Sequence, residues 1–198
     1  MSNEWPWLTE RLLWLDVRPR VVAIAGPNGA GKTTFYHAHI APAGLRLVNA
    51  DILAHDLAID PYAAAQVAAS LRKELIRQGE SFAFETVFSD PVGDKLGFLQ
   101  RATESGYNVV LCFIGLASPE LSLERVAMRV SQGGHDVPDE KIMSRFPRIL
   151  INLKSAIQLL PHVLIFDNSD LLQPYRWVAE FENGQASLIG IPRPDWFE

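Results

Sequence analysis

Apolar positions along this chain fall into short unbroken runs separated by stretches with helical spacing. Val21-Val22-Ala23-Ile24-Ala25, Leu45 to Asp51, Ser81 to Glu85, Tyr107 to Ile114 and His162 to Asp167 are runs of the first kind and predict strands. Between them the helical segments carry start signals. A helix is expected to run on to Ile40 after the first strand. Another runs from Asp60-Pro61 to about Arg77, with Asp60 as cap and Pro61 in the first position. Asp90-Pro91 repeats that signal ahead of a helix to about Glu104, weakened by Gly97, and Ser118-Pro119-Glu120 opens a third to about Val130. Val137-Pro138 precedes a stripe of Ile142, Phe146, Ile149, Leu150, Leu153 and Ile157, in which Pro147 is expected to kink or split the helix. Leu8, Leu12 and Leu15 predict an amphipathic helix over 6–16, packed onto the body by Trp5, Trp7 and Trp14. Residues 177–182 and 186–189 predict a final hairpin or two edge strands.

Strands alternating with helices imply an α/β fold: a mostly parallel sheet covered by helices on both faces. In such sheets ligands bind beyond the carboxyl ends of the strands. The expected organisation is one domain over 1–198. An N-terminal helical extension spans 1–19, a lid and helical segment about 118–160, and edge strands 174–198.

The first strand leads directly into Gly26-Pro27-Asn28-Gly29-Ala30-Gly31-Lys32-Thr33-Thr34, which spells G-x-x-x-x-G-K-[ST]. Glycines let the backbone approach a polyphosphate, and amides at a helix N-terminus point inward to bind it. Lys32 is expected to reach the β- and γ-phosphates of ATP, and Thr33 to offer its hydroxyl to Mg2+. The fold expected is therefore a P-loop NTPase-type three-layer sandwich with a helical lid.

The strand-end rule sorts the remaining polar residues. Asp51, just past the second strand, has two readings: a general base for a substrate hydroxyl attacking the γ-phosphate, or the N-cap of a helix beginning at Ile52. Glu85 and Thr86 close the third strand, where they could bind substrate hydroxyls or help hold Mg2+ through water. Ser89 and Asp90 read as the cap of the next helix. Arg125 and Arg129 share one helix face, as do Lys141, Arg145 and Arg148. With Gly133-Gly134-His135 as a hinge between them, they read as a basic lid or as solvated charged faces. Asp167 is a candidate metal carboxylate, and Asn168-Ser169-Asp170 candidates to line the nucleotide base.

Composition narrows the alternatives. The chain has 198 residues, 48% hydrophobic, with a net charge of −5. That charge argues against broad nucleic-acid binding, which needs a basic face. No apolar run approaches a membrane span, and the start has no signal-peptide layout. The lone Cys112 sits in an apolar run and fits a buried core residue in a reducing cytoplasm. Asp94-Lys95-Leu96-Gly97 spells the DxxG of a regulatory GTPase, but inside a predicted helix, and Asn152-Leu153-Lys154-Ser155 is not NKxD. The last central strand ends Asp167-Asn168, not in the Asp-Glu of many mechanical ATPases. A small-molecule kinase fits best, ahead of a non-catalytic nucleotide-binding module.

Four segments in order carry a more specific likeness: Gly26 to Phe35, Val48-Asn49-Ala50-Asp51, Phe84-Glu85-Thr86 and Gly133-Gly134-His135-Asp136-Val137-Pro138. Together, across roughly residues 20–170, they resemble the zeta toxin family of P-loop kinases. The resemblance implies ATP and Mg2+ as cofactors, phosphorylation of an amino-sugar hydroxyl of UDP-N-acetylglucosamine, and a protein antitoxin as partner. It implies Asp51 as base, Glu85 and Thr86 at the substrate, and Arg129 and Arg145 at the transferring phosphate; His135 reads either as a substrate contact or as a structural residue of the glycine turn. The chain departs from the family in its compactness and lacks a full uridine-binding insertion. Another small hydroxyl compound, an antibiotic or a nucleoside, is the alternative acceptor.

Overall fold

The computed structural model describes residues 16–134 and 136–197. The helix expected over 6–16 and its three tryptophans lie outside the described residues, except for Asp16.

Five parallel strands form the centre: β1 (Arg20–Ala25), β2 (Arg46–Val48), β3 (Phe82–Thr86), β4 (Asn108–Gly115) and β5 (His162–Asp167). Antiparallel β6 (Arg176–Glu182) and β7 (Gln185–Ile189) extend one edge, giving the order β2-β3-β1-β4-β5-β6-β7. All six residues of β1 are buried, as a strand covered on both faces must be.

The helices are α1 (Lys32–Phe35), α2 (Ala50–Leu57), α3 (Pro61–Arg77), α4 (Asp94–Glu104), α5 (Pro119–Ser131) and α6 (Asp139–Leu159). Beyond α1 the chain continues through a π turn, Tyr36–Ile40, and a short 3-10 turn, Ala41–Ala43. Alternation along β1 divides the core. Val21 and Ala23 face a cluster that includes Ala68 of α3, Leu99 of α4 and Ile149, Leu153 and Ile157 of α6. Val22 and Ile24 face Phe35, Tyr36 and Ile40, with Phe146 and Leu121. Arg72 of α3 lies over the rings of Phe84 and Phe98 at 4.9 and 5.6 Å, and its burial lowers the guanidinium pKa.

Two sequence expectations need correction. Asp90 does not cap α4, which begins at Asp94 after a left-handed Gly93 at φ 72°. The turn over 91–93 delays the helix, and the Asp90 carboxylate accepts instead from the Lys95 backbone N–H at 3.2 Å. Pro147 does not split α6, which runs unbroken across it. Pro147 and Met143, whose carbonyl loses its i+4 donor, both lie on the exposed side, where water replaces that bond. The hairpin and the starts of α3 and α5 appear as read, with Asp60 and Ser118 as side-chain caps.

Candidate functional site

Register brings the chemistry to one edge. Val48 pairs with Phe84, and Ala25 with Thr86, so the carboxyl ends of β1, β2 and β3 deliver the phosphate loop, Asn49-Asp51 and Glu85-Thr86 side by side.

The loop is held by its carbonyls. Asn28 O accepts from Ser122 Oγ at 2.6 Å, Ala30 O from Asn168 Nδ2 at 2.9 Å, and Gly31 O from Tyr175 Oη at 2.9 Å. Lys32 Nζ donates to Gly26 O at 3.0 Å and Pro27 O at 2.8 Å. With the carbonyls fastened to protein, the amide side is left to a ligand, and the first amides of α1 have no intrahelical acceptor. Two glycines are obligatory for this path. Gly26 has φ +145°, and a Cβ there would stand 2.1 Å from Ile114 O; Gly31 has φ +83° and would meet Tyr175 Oη at 2.8 Å. Phe35 and His39 pack against the Tyr175 ring at 5.3 and 5.8 Å and fix its hydroxyl.

Thr33 Oγ1 donates to Glu85 Oε2 at 3.1 Å. Burial raises the Glu85 pKa, opposed by the Lys32 charge and by the Thr33 hydroxyl and Asn49 amide. Glu85 Oε1 is buried without a well-formed hydrogen bond. Burial pulls Lys32 from 10.5 down to about 8; Glu85 and Asp51 resist that fall and Arg129 adds to it. Lys32 thus feels the charges of Glu85, Asp51 and Arg129 together. Asp51 itself is exposed in the first turn of α2. It is not the cap: Asn49 Oδ1 accepts from Asp51 N at 2.8 Å and Ile52 N at 3.3 Å. The carboxylate is therefore not consumed by the helix start. Thr86 Oγ1 accepts from Phe88 N at 3.0 Å, bracing the turn after β3.

The basic residues of the expected lid separate. Arg125 donates to Ser169 O at 2.9 Å beside the loop, and burial lowers its pKa. Arg129 acts on Lys32, whereas Arg145 and Arg148 of α6 line a cavity with Thr86 and Lys95. Lys141 is exposed and His135 lies outside the described residues. Asp167 does not serve as an open metal carboxylate. It accepts from Ser169 N and Oγ, Arg176 Nη2 at 3.1 Å and Trp196 Nε1 at 3.2 Å. Cys112 is buried in the core and its thiol is pushed up to about 12, which makes it unreactive.

Sequence reasoning missed four supports. Asn49 carried a signal, a polar residue between strand and helix. Asn168, a base-lining candidate by sequence, instead ties down Ala30. Ser122 and Tyr175 carry none, because they meet the loop from 94 and 144 positions away.

The oxygen donors fit a hard cation. Among the described residues no group of three or more His, Cys, Asp or Glu could hold a metal alone. Mg2+ typically takes one or two protein oxygens plus substrate phosphates, and the Thr33 hydroxyl with the partly unsatisfied Glu85 carboxylate supplies that kind of set.

Comparison with known proteins agrees with this architecture. An uncharacterized protein of Haemophilus influenzae is 25% identical over 146 residues, covering 70% of this chain and all of that protein. Among solved structures, the AvrRxo1-ORF1:-ORF2 complex with ATP contains a chain that superposes with a TM-score of 0.70 at 22% identity, over 91% of this chain. This chain spans only 64% of the length of that one. A structure from the PezAT chromosomal toxin-antitoxin system of Streptococcus pneumoniae matches with a TM-score of 0.58 at 19% identity, covering 82% of this chain and 71% of the other. At these identities the two structural likenesses establish the P-loop α/β fold. A family model described as an AAA domain matches residues 21–145, from β1 through the phosphate loop to the start of α6. The match establishes this broader family rather than the zeta toxins in particular. The chain belongs to the AAA_33 family of AAA domains.

Proposed function

We propose that the protein is an ATP-dependent small-molecule kinase that transfers the γ-phosphate of ATP to a substrate hydroxyl. The observation that carries this reading is the 3.1 Å bond from Thr33 to Glu85. It joins the phosphate loop to a half-buried carboxylate at the end of the neighbouring strand, with Asp51 close by. A phosphate-binding loop that served binding alone would not need two carboxylates facing its lysine.

In this reading the loop amides and Lys32 hold the polyphosphate, and the Thr33 hydroxyl and Glu85 carboxylate would hold Mg2+. The cation, when bound, neutralises charge on the β- and γ-oxygens. Asp51 accepts the proton of the substrate hydroxyl as its oxygen bonds to the γ-phosphorus and the bond to the β–γ bridging oxygen breaks, releasing ADP. Arg129, whose charge acts on Lys32, stabilises the equatorial oxygens. Thr86 and Arg145, which line one cavity, orient the acceptor, with His135 as a further candidate contact. The resemblance to zeta toxins supports UDP-N-acetylglucosamine as acceptor and a protein antitoxin as partner.

The test is incubation with ATP, Mg2+ and a metabolite extract, followed by mass spectrometry for added phosphate. A phosphorylated hydroxyl compound is expected, and UDP-N-acetylglucosamine is the first pure acceptor to assay. Asp51→Asn should lower turnover by about 10²–10⁴-fold with ATP affinity retained. Unchanged turnover in Asp51→Asn would remove the base.

A further inference from the structure

Beside the reacting edge lies an open cavity of about 330 Å³ between the turn after β3, the start of α4 and the face of α6. Lys95, Arg145 and Arg148 line it together with Thr86 and Asp90. Arg145 and Arg148, three apart on α6, share a helix face. Among the described residues no ion pair engages any of these three cations. Arg148 Nε is buried without a hydrogen-bond acceptor. The single carboxylate of the wall, Asp90, accepts from the Lys95 backbone N–H at Oδ2, and its Oδ1 is buried without a partner. The wall is preformed, since Asn152 Nδ2 donates to Phe88 O at 2.9 Å and Asp90 O at 3.0 Å and ties the turn to α6.

Three cations and one carboxylate line the concavity, an excess of positive charge, and an entering anion would also satisfy the orphaned Arg148 donor. Thr86 belongs both to this cavity and to the Glu85-Thr86 strand end, so whatever fills the cavity lies next to the phosphoryl-transfer site. We infer that Lys95, Arg145 and Arg148 form an anion subsite for the acceptor, so that the substrate is a hydroxyl compound bearing a phosphoryl or carboxylate group. This rests on the kinase reading, and it selects against neutral nucleosides and cationic antibiotics as acceptors. The two arginines offer planar forks to paired oxygens and Lys95 a point charge.

The test separates the two claims. The full chain is first titrated with ADP and Mg2+ by calorimetry, with Lys32→Ala as the control; absence of ADP binding would defeat the kinase reading itself. The ADP-saturated protein is then titrated with inorganic phosphate and, separately, acetate. Saturable binding of at least one anion is expected, weakened about tenfold or more in Lys95→Gln and in Arg148→Gln but not in the remote Arg77→Gln. Phosphate binding alone assigns a phosphoryl acceptor; acetate binding of similar strength assigns a carboxylate. ADP binding with no anion bound, or with anion affinity equal in wild type, Lys95→Gln and Arg148→Gln, would overturn the subsite. The second pattern would mean that the ion sits in the donor site. A fluorescence or circular dichroism melt of each variant confirms that it is folded.

Discussion

Replacing Lys32 by Met should remove a pH-dependent part of the protein's stability and abolish its response to ATP. The Lys32 ammonium sits among loop carbonyls, and burial lowers its pKa from 10.5 to about 8 despite Glu85 and Asp51. At about 1.4 kcal/mol per pK unit, holding that charge in the folded state costs about 3 kcal/mol at neutral pH. The sign follows from proton linkage. Between the folded pKa and the unfolded value the unfolded chain binds more protons, so stability rises with pH through that window. About 2 kcal/mol of the penalty should be recovered between about pH 7 and about pH 9.5. Other lysines and tyrosines titrate there too, so the quantity to read is the difference between wild type and Lys32→Met. Urea unfolding followed by tryptophan fluorescence at both pH values supplies it. Wild type should gain about 2 kcal/mol relative to the variant as pH rises across that range. ATP with Mg2+ at about a hundred times Kd should add about 2.7 kcal/mol to wild type and nothing to the variant. Parallel pH curves would show that Lys32 is not held charged in a desolvated loop. An equal ATP response in both proteins would refute its role at the phosphates.

Two further outcomes test neighbouring parts of the site. Glu85→Gln should lower turnover by about 10²-fold with ADP affinity nearly unchanged, read in steady-state assays and calorimetry. Because the Glu85 pKa is raised in the fold, wild type should lose stability as pH climbs through and above the ordinary carboxylate value of 4.5, and the variant should lose less. Asn49→Ala removes the cap of α2 and should cost about 1 kcal/mol in urea unfolding. It should also reduce turnover by loosening Asp51, whereas Asp51→Asn should leave stability within about 0.5 kcal/mol.

Legible along the chain were the alternation of strands and helices, the phosphate loop and the strand-end position of Glu85. Each of these is local: hydrophobic period, a glycine pattern, a residue at the end of a run. Capping was legible where Ser118 and Asp60 stand directly before a proline and an amphipathic stretch. It misled at Asp90, because a left-handed Gly93 delays the helix and nothing local announces that turn. At Pro147 the helix is not split, since the carbonyl it orphans lies on the exposed side of α6. Only the tertiary structure decided which polar groups serve the site. Strand order puts β3, not β5, beside β1, so Glu85 meets Thr33 while Asp167 is bound by Arg176, Ser169 and Trp196. Ser122, Asn168 and Tyr175 reach the loop carbonyls from distant segments, a convergence that no spacing along the chain encodes. The basic stretch over 125–148 likewise divides only in three dimensions: Arg129 bears on Lys32, while Arg145 and Arg148 join Lys95 across the neighbouring cavity. Side-chain electrostatics depend on such distances, and those distances are set when the sheet forms.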